Sequence, residues 1–197
     1  MPSPHLASRS TREGTRRRWL LMVAVAAATA APSVVVADQP PAEPTEYKTA
    51  DYRSRVPATL AGARVLSADE AKALWDVKSA VFIDVYPRPP KPPNLPQATV
   101  WRDPRHSSIE GAHWLPNVGY GVLSPEAQAY FSSRLAQLTG HDTARKLVFF
   151  CLRDCWMSWN AAKRAMAMGY SAVAWFPDGT DGWMDIGLNL VDATAVP

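Results

Sequence analysis

The chain has 197 residues, 47% hydrophobic and 20% charged, the length and composition of one soluble globular domain with appendages. Its formal charge of +3 is concentrated at the start: residues 1–37 carry five arginines and one glutamate, leaving 16 basic and 17 acidic side chains, net −1, in the rest. A nearly neutral remainder excludes nucleic acid and an anionic membrane surface as partners implied by charge.

In chain order, Arg16-Arg17-Arg18 precede an apolar stretch from Trp19 to about Ala31, and Val35-Val36-Ala37 offers small residues before Asp38. Residues 1–37 read as a cleaved export signal. Pro32 interrupts the apolar stretch short of the roughly 20 residues that span a bilayer, so no stable membrane insertion is expected after cleavage. Thr15 to Leu20 resembles a twin-arginine export motif, but an ordinary secretory signal also starts basic; the route stays open, with the ordinary one favoured. Export implies a periplasmic protein, in an oxidising compartment where its two cysteines can exist as a disulfide.

Residues 38–63, with prolines at 40, 41 and 44, read as a flexible leader. The domain is expected over 64–190, with first ordered residues near Tyr52 to Val65. A short strand around Val65 leads to the capping box Ser67-Ala68-Asp69-Glu70, which predicts a helix from Ala68 to about Trp75. Val81-Phe82-Ile83-Asp84-Val85 has the pattern of a parallel strand buried on both faces. Seven prolines between Pro87 and Pro104 rule out regular structure, so 87–104 is an irregular excursion, read as a proline-stiffened surface loop ahead of a binding loop or lid. Ser124-Pro125-Glu126 starts a helix to about Leu138, stopped by Gly140. Lys146 to Phe150 reads as a strand, Ser158 to Gly169 as a helix capped by Ser158, and Ala172 to Phe176 as a last strand. A Gly-containing turn, Pro177 to Gly182, follows before Trp183. Strands alternating with helices predict an α/β domain with a central parallel sheet flanked by helices, whose ligand sites lie at the carboxyl ends of the strands. There is no internal repeat, hence no propeller.

The two cysteines, Cys151 and Cys155, stand in Cys151-Leu152-Arg153-Asp154-Cys155-Trp156, a strand-to-helix turn. Such a turn aims backbone N–H groups and the positive end of the helix dipole at an anion, and a thiolate is one. Cys151 is thus a candidate thiolate nucleophile, its thiol pKa lowered into the range ~3.5–7.5 typical of such settings. Cys155, four residues on, is a candidate resolving thiol, since Cα atoms so placed fall near the roughly 4.4–6.8 Å that a disulfide spans. A disulfide that merely pins the turn remains the alternative. Arg153 is a candidate to hold an anionic substrate or stabilise the thiolate, and Trp156 a candidate wall of the substrate site, against a core role for the tryptophans at 156, 159, 175 and 183. Asp154 reads as a solvated loop charge, Asp84 as a backbone hydrogen-bonding group, and His106 as a surface-loop residue. Histidines 106, 113 and 141 lack a zinc spacing beside two cysteines, so neither metal nor cofactor is expected.

Four landmarks together resemble a rhodanese domain: the strand Val81 to Val85, the Ile109-Glu110-Gly111-Ala112 turn, Cys151 after its strand, and Asp178-Gly179 to Gly182-Trp183. They span about residues 64–187. More narrowly, the stretches from Cys151 to Ala165 and from Pro177 to Trp183 resemble the exported PQQ-dependent catabolism-associated CXXCW-motif proteins. The resemblance implies a rhodanese-like sulfurtransferase acting on a sulfane-sulfur donor or thiol substrate, near exported quinoprotein or cytochrome systems. The chain departs from both patterns. The cysteine loop is one residue longer than in rhodaneses, it holds two cysteines, Trp156 stands five residues after Cys151, and three residues rather than two separate the cysteines. A thiol–disulfide oxidoreductase and a non-catalytic accessory protein on the same scaffold remain alternatives.

Overall fold

The computed structural model describes residues 39–96, 98–102 and 104–197; the expected export signal lies outside them. In chain order the elements are β1 (Arg64–Val65), α1 (Ala68–Asp76), β2 (Val81–Asp84), β3 (His106–Ser108), β4 (His113–Trp114), α2 (Pro125–Thr139), β5 (Leu147–Phe150), α3 (Trp156–Ala167), β6 (Val173–Phe176), α4 (Gly179–Asp185) and β7 (Val191–Ala193). Five strands form a wholly parallel sheet in the order β1-β6-β5-β2-β4, while β3 and β7 pair antiparallel apart from it. The α/β class with a central parallel sheet flanked by helices is therefore the architecture observed.

The central strands explain their own apolar runs. Side chains alternate across a strand, so Leu147 and Phe149 of β5 join one core with Phe131 and Leu135 of α2 and Trp159 and Ala162 of α3. Val148 and Phe150 point the other way, into a second core with Phe82, Ala71 of α1 and Trp183 of α4. With both faces covered, no polar alternation is needed, and all four residues of β5 are buried. The strand at the middle of the sheet thus delivers Cys151 at its carboxyl end.

The predicted helix signals act as expected. Ser67 and Glu70 form a reciprocal capping box, Ser124 Oγ accepts the Ala127 N–H with Pro125 at the first position, and Gly140 ends α2 in the left-handed region at φ 64°. Three expectations change. The cysteine helix begins at Trp156 rather than after a Ser158 cap: Asp154 takes a left-handed turn (φ 53°), Cys155 occupies the cap position without a side-chain hydrogen bond, and Ser158 lies buried inside the helix. Its hydroxyl donates to the Cys155 carbonyl and accepts the indole N–H of Trp175, which satisfies it without water. The stretch read as a turn from Pro177 to Gly182 is mostly helix α4, which buries Trp183 against the second core despite two glycines. Gly179 (φ 49°) is required there, because a Cβ would collide with the Cys151 carbonyl oxygen.

The third change concerns residues 38–63, expected as a flexible leader. Their described part holds no helix or strand but packs on the domain through specific bonds. Trp156 N–H donates to the Tyr52 carbonyl (2.9 Å), Trp159 Nε1–H to the Thr59 carbonyl (3.2 Å), and Val56 and Leu60 are buried. Arg164 of α3, buried, donates to the carbonyls of Val118, Tyr120 and Gly121 and lies 4.5 Å from the Tyr47 ring centroid. Burial holds its pKa below the ordinary arginine value. The described residues of 87–104 contain no helix or strand, as the prolines require.

Candidate active site

Cys151 and Cys155 are joined as a disulfide across the β5–α3 turn, with Cα atoms 6.2 Å apart, within the span such a bond allows. Both residues are about 99% buried, so the pair lies beneath its loop rather than on the surface. Bonded sulfur is not a thiolate, so in this state Cys151 and Cys155 are an oxidised pair.

The loop above the pair is held by α4. Thr180 N–H donates to the Cys151 carbonyl at 2.9 Å, and Leu152 bridges Gly179. Arg153 is held from three directions: Asp181 Oδ2 accepts its backbone N–H (2.9 Å), Asp178 Oδ1 accepts from Nε (3.0 Å), and Asp185 Oδ2 accepts from an η-nitrogen (2.6 Å). The side-chain bonds to Asp185, foremost, and to Asp178 hold the guanidinium pKa above its already high ordinary value. Arg153 is therefore beside the cysteines, as expected, but already committed to internal carboxylates. Asp154 is exposed, in keeping with a solvated loop charge.

Trp156 is only 4% exposed, packs edge-on to Trp159 with ring centroids 5.5 Å apart, and donates its indole N–H to Ser54 Oγ. Lys48 Nζ lies over its ring at 5.1 Å. This surrounds the indole with protein, giving it the core role that the alternative reading assigned to the tryptophans.

A second polar cluster lies at the end of β2, next to β5 in the sheet and in register with it (Asp84 opposite Phe150). Asp84 is fully buried. Its Oδ1 accepts the Tyr86 N–H (2.8 Å), and its Oδ2 receives the Ser108 hydroxyl (2.5 Å) and lies 2.7 Å from His106 Nε2. The His106 ring stacks on Tyr86 (4.9 Å between centroids, 6° between planes) and leans on Trp114. His106 is therefore not a surface-loop residue: the β3–β7 pairing carries it inward to hydrogen-bonding distance of the Asp84 carboxylate. Asp84 does bond backbone as expected, and two side chains besides. Both His106 and Ser108 bond the same carboxylate oxygen, so the three do not form a relay of nucleophile, base and orienting acid. Among the described residues no cluster of three or more His, Cys, Asp or Glu side chains could hold a metal ion.

The α4 carboxylates escaped sequence reasoning although a signal existed. Asp178, Asp181 and Asp185 recur at three and four residues, one face of a helix, but the glycines among them suggested a turn.

No protein-family model matches the chain, and no curated protein matches it. Solved structures similar to it include a thiosulfate sulfurtransferase from Pseudomonas aeruginosa, at 21% identity and a TM-score of 0.46 over 68% of this chain and 21% of that one. The chain thus spans about a fifth of that protein's length. Others are the polysulfide-sulfur transferase homodimer of Wolinella succinogenes (17% identity, TM-score 0.42, 68% of this chain and 82% of that one) and a Rhodopseudomonas palustris protein of unknown function described as a possible tyrosine phosphatase (19%, 0.41, 66% and 85%).

Proposed function

We propose that the chain is an exported rhodanese-like sulfurtransferase whose reduced form carries sulfane sulfur on Cys151 and whose Cys155 resolves it. One observation carries this reading: the cysteine at the carboxyl end of the central strand is bonded to the cysteine at the head of the next helix. In the reduced chain the Cys151 thiolate attacks the outer sulfur of a sulfane donor. The rest of the donor leaves as its thiolate, and Cys151 keeps a persulfide. An acceptor thiolate then takes the outer sulfur, or the Cys155 thiolate attacks the inner sulfur, expels hydrosulfide and closes the disulfide. Two equivalents of an external thiol reopen it, becoming a disulfide themselves.

The bonded pair also favours a second reading, a periplasmic thiol–disulfide oxidoreductase, in which the disulfide itself is the reagent. On either reading the protein works in the periplasm, close to exported quinoprotein or cytochrome systems of PQQ-dependent alcohol catabolism, as the resemblance of its cysteine loop suggests. Mass spectrometry separates the readings. Reduced chain treated with a sulfane donor should gain ~32 Da, one sulfur atom, at Cys151; Cys151→Ala should abolish the gain and Cys155→Ala should prolong it. An adduct that persists in Cys151→Ala, or none in any form, sinks the sulfur-carrier reading. Chain recovered from its native host should begin near Asp38 in the soluble periplasm; full-length chain in the membrane pellet would refute export.

A further inference from the structure

The α4 carboxylates do more than brace the loop. A strand-to-helix turn beside a reactive cysteine offers backbone N–H groups to anions. Here the Arg153 N–H is already bound by Asp181 Oδ2 at 2.9 Å. The Trp156 N–H is spent on the Tyr52 carbonyl and the Thr180 N–H on the Cys151 carbonyl. The loop's own cation is matched by Asp178 and Asp185 at 3.0 and 2.6 Å, and the exposed Asp154 adds a fourth carboxylate to the one guanidinium. A further cation, Lys48, lies over the Trp156 ring at the head of α3. A small anion approaching this loop past α4 finds the Arg153 N–H occupied by the Asp181 carboxylate, whose charge repels it within a Debye length, about 8 Å at physiological salt.

We propose that Asp181 is a specificity-determining positioning residue: its carboxylate holds the Arg153 amide in the place of a substrate anion, so that the cysteine pair reacts with neutral or cationic sulfur compounds and rejects small sulfur anions such as thiosulfate. This deepens the function proposed above and rests on the pair being reactive. The helix supplies the geometry, since Asp178, Asp181 and Asp185 share the face that Arg153 meets.

The test uses the oxidised full chain and three thiols of different charge: cysteamine (cationic), 2-mercaptoethanol (neutral) and 2-mercaptoethanesulfonate (anionic). Each reduces the pair by the same balanced exchange, two thiols yielding one small disulfide and two protein thiols. Rates are divided by those of the same thiols on a small neutral disulfide. Cysteamine should exceed mercaptoethanesulfonate by about tenfold, the low end of what a charged cleft does for a counter-ion. Asp181→Asn keeps an oxygen for the Arg153 N–H but removes the charge, and should cut the ratio to about threefold or less; 1 M salt should do the same to the unaltered chain. In the reduced chain, Asp181→Asn should also raise sulfur uptake from thiosulfate relative to that from a neutral trisulfide, whose mixed trisulfide with Cys151 is opened to the persulfide by a second, neutral thiol that leaves as a disulfide. Should Asp181→Asn not fold, Asp185→Asn and the salt series carry the test. Equal normalised rates, a ranking that neither salt nor the substitutions narrow, or a pair that no thiol reduces in the folded chain would each overturn the proposal. A charge ranking that behaves as expected while no donor leaves sulfur on Cys151 would instead uphold it and refute the sulfurtransferase reading.

Discussion

The Asn160 carboxamide closes on both backbone groups of Lys48: its Oδ1 accepts the Lys48 N–H at 2.9 Å, and its Nδ2 donates to the Lys48 carbonyl at 2.8 Å. The same Nδ2 also donates to the Gly119 carbonyl at 2.9 Å. One buried side chain on α3 thereby acts as a strand neighbour for residues ahead of the first element and ties two remote segments to the cysteine helix. Replacing it with leucine fills the space but leaves three backbone groups without partners, the buried Gly119 carbonyl and the two partly buried groups of Lys48. At about 1–3 kcal/mol for such a group, only partly relieved by water, Asn160→Leu should cost about 2–4 kcal/mol in chemical denaturation. It should also open residues 39–60 to proteolysis before the sheet. A loss below about 1 kcal/mol would mean that the early segment is held by apolar packing alone.

This tie also shows where sequence reasoning reaches its range. Signals that act over a few residues were legible: the Ser67–Glu70 box, Ser124-Pro125, Gly140, and the apolar runs of β5, β6 and, up to its closing Asp84, β2, whose burial on both faces is written in their composition. Contacts set by remote partners were not. The short strands His106–Ser108 and Val191–Ala193 are three residues each, too short for a pattern to stand out, and their pairing depends on chain closure far apart in sequence. His106 becomes buried because Asp84 receives it, and no local pattern states that. In the candidate site, the pairing of Cys151 with Cys155 across their turn was legible, whereas the carboxylates that occupy Arg153 were hidden by the glycines of α4.

Both enzyme readings require a reducible disulfide whose loss leaves the fold standing. Closing so short a loop contributes about 2 kcal/mol in the chain-entropy view, while the two cores on the sheet supply most of the stability. Equilibration with defined thiol buffers should place the pair above about −300 mV, on the labile side of structural bonds. The reduced chain should melt cooperatively, lower by about 4–8 °C for a domain of this size. A bridge that resists these buffers, or collapse on reduction, would leave a structural disulfide on a non-catalytic scaffold.

Asp84 anchors the pairing of β3 to the main sheet, because the Tyr86 N–H, the Ser108 hydroxyl and His106 all converge on its buried carboxylate. Asp84→Ala strands all three and should cost about 3–5 kcal/mol, at about 1–3 kcal/mol for each buried polar group left unpaired. His106→Asn should cost less, since Ser108 and Tyr86 still satisfy the carboxylate. Equal losses from the two substitutions would show that the aromatic stack of His106 on Tyr86, not the carboxylate, holds this corner.

His113 gives the domain a specific acid sensitivity. It lies on the short edge strand β4, paired with Ile83 of β2, and partial burial holds its pKa below the ordinary histidine value because desolvation disfavours the imidazolium. In the unfolded chain the ring titrates near 6.5, so between that pH and the lower folded value the unfolded state binds more protons. Stability then rises with pH, and the loss occurs as the solution is acidified from neutral through about 6.5 down to the folded pKa, below which this contribution is constant. His113→Gln, which keeps the polarity and removes the titration, should flatten that part of the stability curve while leaving the loss at carboxylate pH intact. Urea denaturation of both chains at half-unit steps from pH 7.5 to 4.5 would measure it, and curves that stay parallel throughout would refute the assignment.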